Sequence, residues 1–126
     1  MIPFNPLAGG LLTGKYNKNE TPTEGRFSAA ISNNFGALYQ QRYWHNRQFE
    51  TVSQLGEIAK TRGVPLTTLS VAWVLANPTI TAAILGASRL EQLDDSLAAA
   101  NYAIDPELKE QLDDLTAEYR RGDADR

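Results

Sequence analysis

The residues best suited to chemistry lie together between Ile80 and Ser96, ITAAILGASRLEQLDDS. Arg89 offers a planar, permanently charged fork that matches phosphate or carboxylate oxygens. Just before it, Gly86 permits a tight turn, and Ser88-Arg89-Leu90-Glu91 has the spacing of a capping box. In such a box the Ser88 side chain accepts from the Glu91 amide, and the Glu91 carboxylate reaches back to the Ser88 amide. The other amides of the first helical turn stay free to point at an anion. The run Ala82-Ala83-Ile84-Leu85 after Thr81 reads as a short buried strand. Strand, glycine, helix and arginine together describe an anion site. An ordinary strand-to-helix turn with a solvated arginine fits the same letters.

A second such stretch opens the chain. In Ile2-Pro3-Phe4-Asn5-Pro6 each residue before a proline is biased toward extended backbone. Leu7 to Tyr16, LAGGLLTGKY, follows with three glycines that let backbone approach another group closely, and with the cation Lys15. It lacks the GxxxxGK[ST] frame of a P-loop, and a plain glycine-rich connector is the competing reading. Tyr43 and His45 are the one pair that resembles an acid with a partner, but positions i and i+2 point to different helix faces. His45 is expected at the surface near a helix start, and Trp44 and Trp73 are expected to pack.

The composition narrows the classes. The chain has 126 residues, 42% hydrophobic and 21% charged, with a net charge of -3. That is one domain's worth of chain, and the charge argues against a nucleic-acid or membrane-surface footprint. There is no cysteine, so thiolate chemistry is excluded, and the single histidine excludes a histidine-based metal cluster. No apolar run approaches the roughly 18 residues of a membrane span, and no secretory leader is read at the N-terminus. A soluble, cytoplasmic protein is expected.

The elements that must position these groups read as follows. Residues 17–41 hold Pro22, Gly25 and Gly36 and no sustained period, so they are expected as one long loop, with short helical turns around Ala29–Phe35 allowed. Phe49, Val52, Leu55, Ile58 and Ala59 predict a helix from about Tyr43 to Arg62, closed by Gly63. A second helix runs from about Leu66 to Ala76, burying Leu69, Ala72, Trp73 and Ala76, and Asn77-Pro78 stops it. Leu90, Leu93 and Leu97 form a stripe on the helix after the anion turn. Asp105-Pro106 starts a last helix carrying Leu108, Leu112 and Leu115. Residues 120–126 are expected as a fraying polar tail. Two strands far apart in sequence make a poor sheet, with both edges unpaired. The chain therefore reads as a single, partial α/β domain.

PFNPLAGGLLTGKY, RYWHNRQFETVSQLGEIAKTRGVPLTTLSVAWVLANP and ILGASRLEQLDDSL, in that order, resemble the C-terminal part of an aldo-keto reductase over essentially all of the chain. The resemblance implies a helix-rich C-terminal portion of a (β/α)8 barrel, with Ile2–Asn5 as the seventh strand, Thr81–Leu85 as the eighth and the first six absent. It implies an NADP(H) site at the strand ends, where such barrels build their sites. Carried over by position, Phe4 stacks on the nicotinamide. Asn5, Pro6, Leu7, Ala8 and Gly9 follow the diphosphate, and Lys15 and Arg26 contact phosphates. Gly86, Ser88, Arg89 and Gln92 form the 2′-phosphate pocket. Asp95 and Ser96 stand where the family commonly has Glu and Asn against the adenine, and they depart from it by a methylene and an amide. The family's catalytic tyrosine, with its aspartate, lysine and histidine partners, belongs to the half not present. No catalytic and no metal-binding residue is assigned, and NADP(H) is expected to bind weakly. The other readings are a non-catalytic nucleotide-binding or assembly module, pairing through open strand edges with itself or with the absent half, and a domain that keeps the fold and binds nothing.

Overall fold

The computed structural model describes residues 1–28 and 35–121, Arg121 by its backbone alone. Its helices are α1 (Phe35–Tyr43), α2 (Asn46–Thr61), α3 (Leu66–Leu75), α4 (Glu91–Ala98) and α5 (Pro106–Leu115). Tighter 3-10 turns run over Ala8–Thr13, Ala99–Asn101 and Ala117–Arg121. Helix α3 is the centre. LTTLSVAWVL is apolar nearly all round, and such a helix must be covered on several sides. It packs against α2, α4 and the turns Ala8–Thr13 and Ala99–Asn101, and it buries Thr68, Leu69, Ser70, Val71 and Ala72.

The core falls into three parts. Leu55, Ala59, Leu69, Leu108 and Leu112 join α2, α3 and α5, with half-buried Trp73 against them. Leu11, Phe27 and Val52 are ringed by Tyr16, Tyr39, Tyr43, Trp44 and Phe49. Val71, Ala72 and Ala99 gather Leu7, Leu85 and Tyr102. Trp73 is thus a packing residue, and its Nε1 donates to Asp113 Oδ1 at 2.8 Å. Lys109 Nζ donates to the other oxygen of that carboxylate at 2.6 Å. Those bonds, the lysine's foremost, hold the Asp113 carboxyl below the usual carboxylate range.

Helix α5 starts as its letters require. The Asp105 carboxylate accepts from the Leu108 amide at 2.8 Å, and Pro106 takes the first helical position. The Leu108 amide and then the Arg62 guanidinium, 2.6 Å away, hold the Asp105 carboxyl below its ordinary value. Helix α2 closes at Gly63, φ +65°, with the Val64 amide returning to the Ala59 carbonyl at 3.0 Å.

Four expectations need correction. The helix foreseen from Tyr43 is two helices, because His45 is extended (φ −126°, ψ 151°) between α1 and α2. Within 17–41, α1 takes the last part of the supposed loop. It is held by ring contacts of Tyr39 and Tyr43 with Phe27 rather than by an aliphatic stripe. The helical turns foreseen around Ala29–Phe35 fall largely on residues 29–34, outside the described residues. The expected tail begins inside an element, since Arg120 and Arg121 belong to a 3-10 turn. Ala117–Arg121 forms a turn tied down by a Glu118–Arg47 ion pair and by the Tyr119 hydroxyl, 2.8 Å from that of Thr51. Residues 122–126 lie outside the described residues.

The fourth correction concerns the strands. Instead of two strands, the described residues carry one isolated parallel bridge, Phe4 to Ile84. The Thr81 amide donates to Met1 O and the Ile84 amide to Pro3 O, both at 2.9 Å. The pairing stops there for a local reason. Pro3 and Pro6 have no amide to give, and Asn5, φ +58°, turns out of extended backbone directly after Phe4. The supposed buried strand is open on one side, with Ile84 56% exposed, while Leu85 packs against Val71, Ala72 and Ala99. Among the described residues no helix is long and apolar enough to cross a membrane.

Candidate functional site

The bridge sets the two glycine-bearing stretches side by side at one end of the molecule. After Phe4, the backbone from Asn5 coils tightly. Asn5 O accepts from the Ala8 amide at 3.1 Å, and Asn5 Oδ1 from the Gly9 amide at 2.8 Å. Ala8, Gly9 and Gly10 all have positive φ. The Ala8 and Gly9 amides, expected along a diphosphate, are therefore engaged within the turn. Phe4 presents its ring to solvent, 77% exposed.

Beyond this turn, Lys15 and Tyr16 form one wall of a cavity of about 260 Å³. Residues 20–24 and Trp44 add further wall, and Arg89 closes it from the other stretch. The Lys15 ammonium lies 4.9 Å from the Tyr16 ring centre. Arg89 Nη2 is 3.5 Å from Glu24 Oε2. Arg26 stands apart from this wall. Its guanidinium covers the Tyr39 ring at 5.7 Å and donates to the Tyr39 hydroxyl at 2.8 Å. A Cβ placed on Gly86 would come 3.8 Å from Arg26 Nη2, so Arg26 reaches the turn that follows the bridge. The Tyr16 hydroxyl is buried with no hydrogen-bond partner among the described residues. Burial raises its pKa, which keeps it a neutral donor.

The capping box is not formed. Helix α4 begins at Glu91, with Leu90 already in helical backbone and no side-chain cap. The Gln92 and Leu93 amides close i−3 turns onto Arg89 and Leu90, which draws those residues into the helical entry. Ser88 is left one turn outside, where the i+4 side chain reaches it. Its amide donates to Gln92 Oε1 at 3.0 Å and its hydroxyl at 3.3 Å. Ser88 and Gln92 thus shape the turn that presents Arg89. Ser96, expected beside the adenine, is buried, 5% exposed, and the adjoining Asp95 carbonyl accepts from Thr68 Oγ1 at 2.7 Å. Asp95 keeps its side chain outside. The stripe on α4 also fails to bury, since Leu90 and Leu97 are both exposed.

Tyr43 and His45 do not form a pair. Tyr43 packs its ring near Phe27 and Tyr39, and His45 Nε2 lies 2.7 Å from the Gln41 carbonyl. Sequence reasoning missed Tyr16, Trp44 and Glu24 as cavity walls. Tyr16 adjoins Lys15 and Glu24 lies two residues before Arg26, so a charged or aromatic neighbour of each cation was the available signal. The cavity's charged lining is mixed, Lys15 and Arg89 with Glu20 and Glu24, and the Tyr16 hydroxyl beside it is buried without a partner among the described residues.

The pattern of the Aldo/keto reductase family matches residues 1–117. The chain is 38% identical over 109 residues to human Aldo-keto reductase family 7 member A3, covering 77% of this chain and 32% of that protein. It is 33% identical over 126 residues to the Putative voltage-gated potassium channel subunit beta of Schizosaccharomyces pombe, covering 94% of this chain and 36% of that one. In structure it resembles the glycerol dehydrogenase AKR11B4 from Gluconobacter oxydans, with a TM-score of 0.72 and 22% identity, over 97% of this chain and 35% of that one. This last likeness concerns the fold. The chain spans about a third of the length of the curated relatives it matches. A match running from the first bridge segment through α5, together with relatives at this level of identity, makes the chain a member of the aldo/keto reductase family.

Proposed function

We propose that this chain is the phosphate-holding end of the NADP(H) site of an aldo/keto reductase, the closing part of a (β/α)8 barrel. Ile2–Asn5 then stands for the seventh strand and Thr81–Leu85 for the eighth. The observation that carries the reading is that Lys15 and Arg89, from the two glycine-bearing stretches that the Phe4–Ile84 bridge brings together, line one cavity. Sites of such barrels gather at the C-terminal ends of the strands. Phe4 offers an exposed flat ring to the nicotinamide. Lys15 supplies charge to the diphosphate, with Arg26 beside Gly86. Arg89, on the turn that Ser88 and Gln92 hold, takes the 2′-phosphate. When bound, the nicotinamide supplies the hydride that reduces an aldehyde or ketone. Among the described residues no tyrosine acid with its three partners gathers at the cavity, and on this reading the chain alone is catalytically silent and binds the cofactor weakly.

Fluorescence titration with NADPH and NADH tests this. Arg89→Ala removes a charge-assisted hydrogen bond worth about 1.5–3 kcal/mol. Because Arg89 is solvated and already faces Glu24, the lower end applies, about a tenfold loss for NADPH and little for NADH. Equal losses would remove the 2′-phosphate assignment. An aldehyde panel with NADPH should give no turnover, and turnover would refute the claim of silence.

A second reading, an assembly module, has its own support. Met1, Ile2, Phe4 and Ile84 are all exposed around a single bridge, and unpaired edges recruit strands. The edges would pair with another copy or with a chain carrying the remaining strands. A strict monomer by size-exclusion chromatography at high concentration would count against self-pairing.

A further inference from the structure

We propose that Glu24 is a specificity-determining residue that tempers the site's selection for a 2′-phosphate and lets it accept the unphosphorylated dinucleotide as well. The inference rests on the reading that Arg89 faces the 2′-phosphate. It is carried by the position of one carboxylate. Glu24 Oε2 lies 3.5 Å from Arg89 Nη2, in the wall of the cavity that Arg89 and Lys15 also line. With Glu20, the charged lining is two cations against two carboxylates. A phosphate approaching Arg89 therefore meets a guanidinium whose fork already has an anion beside it.

Glu24 is no random visitor from a loose loop. Two residues on, Arg26 is bound to the Tyr39 hydroxyl, and Phe27 after it is fully buried. These anchors hold the Thr23–Gly25 segment opposite the turn at Ser88 and Arg89. The pair itself is well solvated, with side chains 82% and 67% exposed for Glu24 and Arg89. It exchanges readily with an incoming ligand. The carboxylate then has two opposite effects. It repels the negative charge of a 2′-phosphate, and it can accept a hydrogen bond from a free ribose 2′-hydroxyl, as an acidic residue does in dinucleotide-binding folds. An arginine and a glutamate facing each other across one pocket suit both cofactors and select neither strongly.

The test is Glu24→Gln in the 126-residue chain, titrated with NADPH and with NADH at low ionic strength. Glutamine keeps the size of the side chain and removes its charge at a solvent-facing position. NADPH should bind about threefold more tightly, as expected for deleting one charge several ångströms from a phosphate in screened solvent. NADH should be unchanged or weaker, and the gain for NADPH should shrink at high salt. Glu20→Gln, lacking the arginine contact, should move the NADPH-to-NADH ratio less. A ratio unmoved by Glu24→Gln, or moved equally by Glu20→Gln, overturns the proposal. Arg89→Ala separates the two failures. If it weakens NADPH selectively while Glu24→Gln does nothing, only the role of Glu24 falls. If it weakens both cofactors alike, the underlying site reading falls and the role of Glu24 with it.

Discussion

Replacing Gly9 with alanine should cost far more than the same change at Gly14, although the two glycines share a backbone conformation. Gly9 has φ 71°, ψ 11°, and Gly14 has φ 76°, ψ 4°. A left-handed conformation costs a residue bearing a Cβ about 1–2 kcal/mol, so both substitutions pay that strain. Only Gly9 also lacks room. A Cβ there would stand 2.7 and 2.9 Å from Tyr39 Cδ1 and Cε1 and 3.3 Å from Phe27 Cε2, whereas at Gly14 the nearest atom is Leu66 Cδ2 at 3.4 Å. Tyr39 cannot swing aside freely, because its ring meets buried Phe27 edge-on and its hydroxyl holds Arg26. Overpacking of this kind adds about 1–3 kcal/mol. The expected cost is therefore about 1–2 kcal/mol for Gly14→Ala and about 2–5 kcal/mol for Gly9→Ala. At roughly 4 °C per kcal/mol for a chain of this size, the two should differ clearly in thermal unfolding. In a Tyr39→Ala background the excess at Gly9 should vanish, leaving the cost seen at Gly14. Equal losses at the two glycines, or an excess that survives removal of Tyr39, would refute the packing argument.

Two other predictions concern the turn and the acid limb. Asn5→Ala keeps the left-handed strain and loses the acceptor for the Gly9 amide, about 1–3 kcal/mol, while Asn5→Gly relieves the strain and should cost less; the reverse order in thermal unfolding would contradict the geometry at Asn5. The folded chain holds the Asp105 and Asp113 carboxyls below their ordinary values, so it takes up those protons less readily than the unfolded chain does. The stability they contribute is complete above the usual carboxylate range and is lost as pH falls through the depressed folded values. Asp105→Asn, which preserves an N-cap, and Asp113→Asn should each flatten the fall of stability with acid, and an unchanged slope in both would show that these bonds carry no linkage.

How much could be read in the letters differs sharply between parts of the chain. Asp105-Pro106 and Gly63 were legible because capping is local: one carboxylate reaching an amide three residues on, or one glycine allowing a left-handed exit, needs nothing from elsewhere. The joining of the two glycine-bearing stretches was legible only through the resemblance, since nothing in either stretch names the other. Ser88 misled because a serine followed by both Glu91 and Gln92 offers two side chains able to reach back, and the tight entry of α4 chose the second. Helix α1 was hidden because Phe35 and Leu38 are exposed, and its hold on the fold comes from tyrosines meeting Phe27. A buried strand was expected from apolar letters at 82–85, but full burial needs a layer on both faces: Leu85 packs against Val71, Ala72 and Ala99, while Ile84 stays exposed. Glu24 was invisible as a site residue because its meaning lies entirely in what stands opposite.

The two tryptophans divide the molecule's light between its two ends of interest. Trp44 borders the cavity and meets Tyr16 and Phe49 edge-on, while Trp73 packs against a different core cluster, that of Leu55, Leu69 and Leu112, with its indole nitrogen committed to Asp113. Emission from Trp44 thus watches the pocket fill, and emission from Trp73 watches the helices come apart. A Trp73→Phe variant isolates the first signal and a Trp44→Phe variant the second, so one chain carries optically separable gauges of occupancy and of integrity.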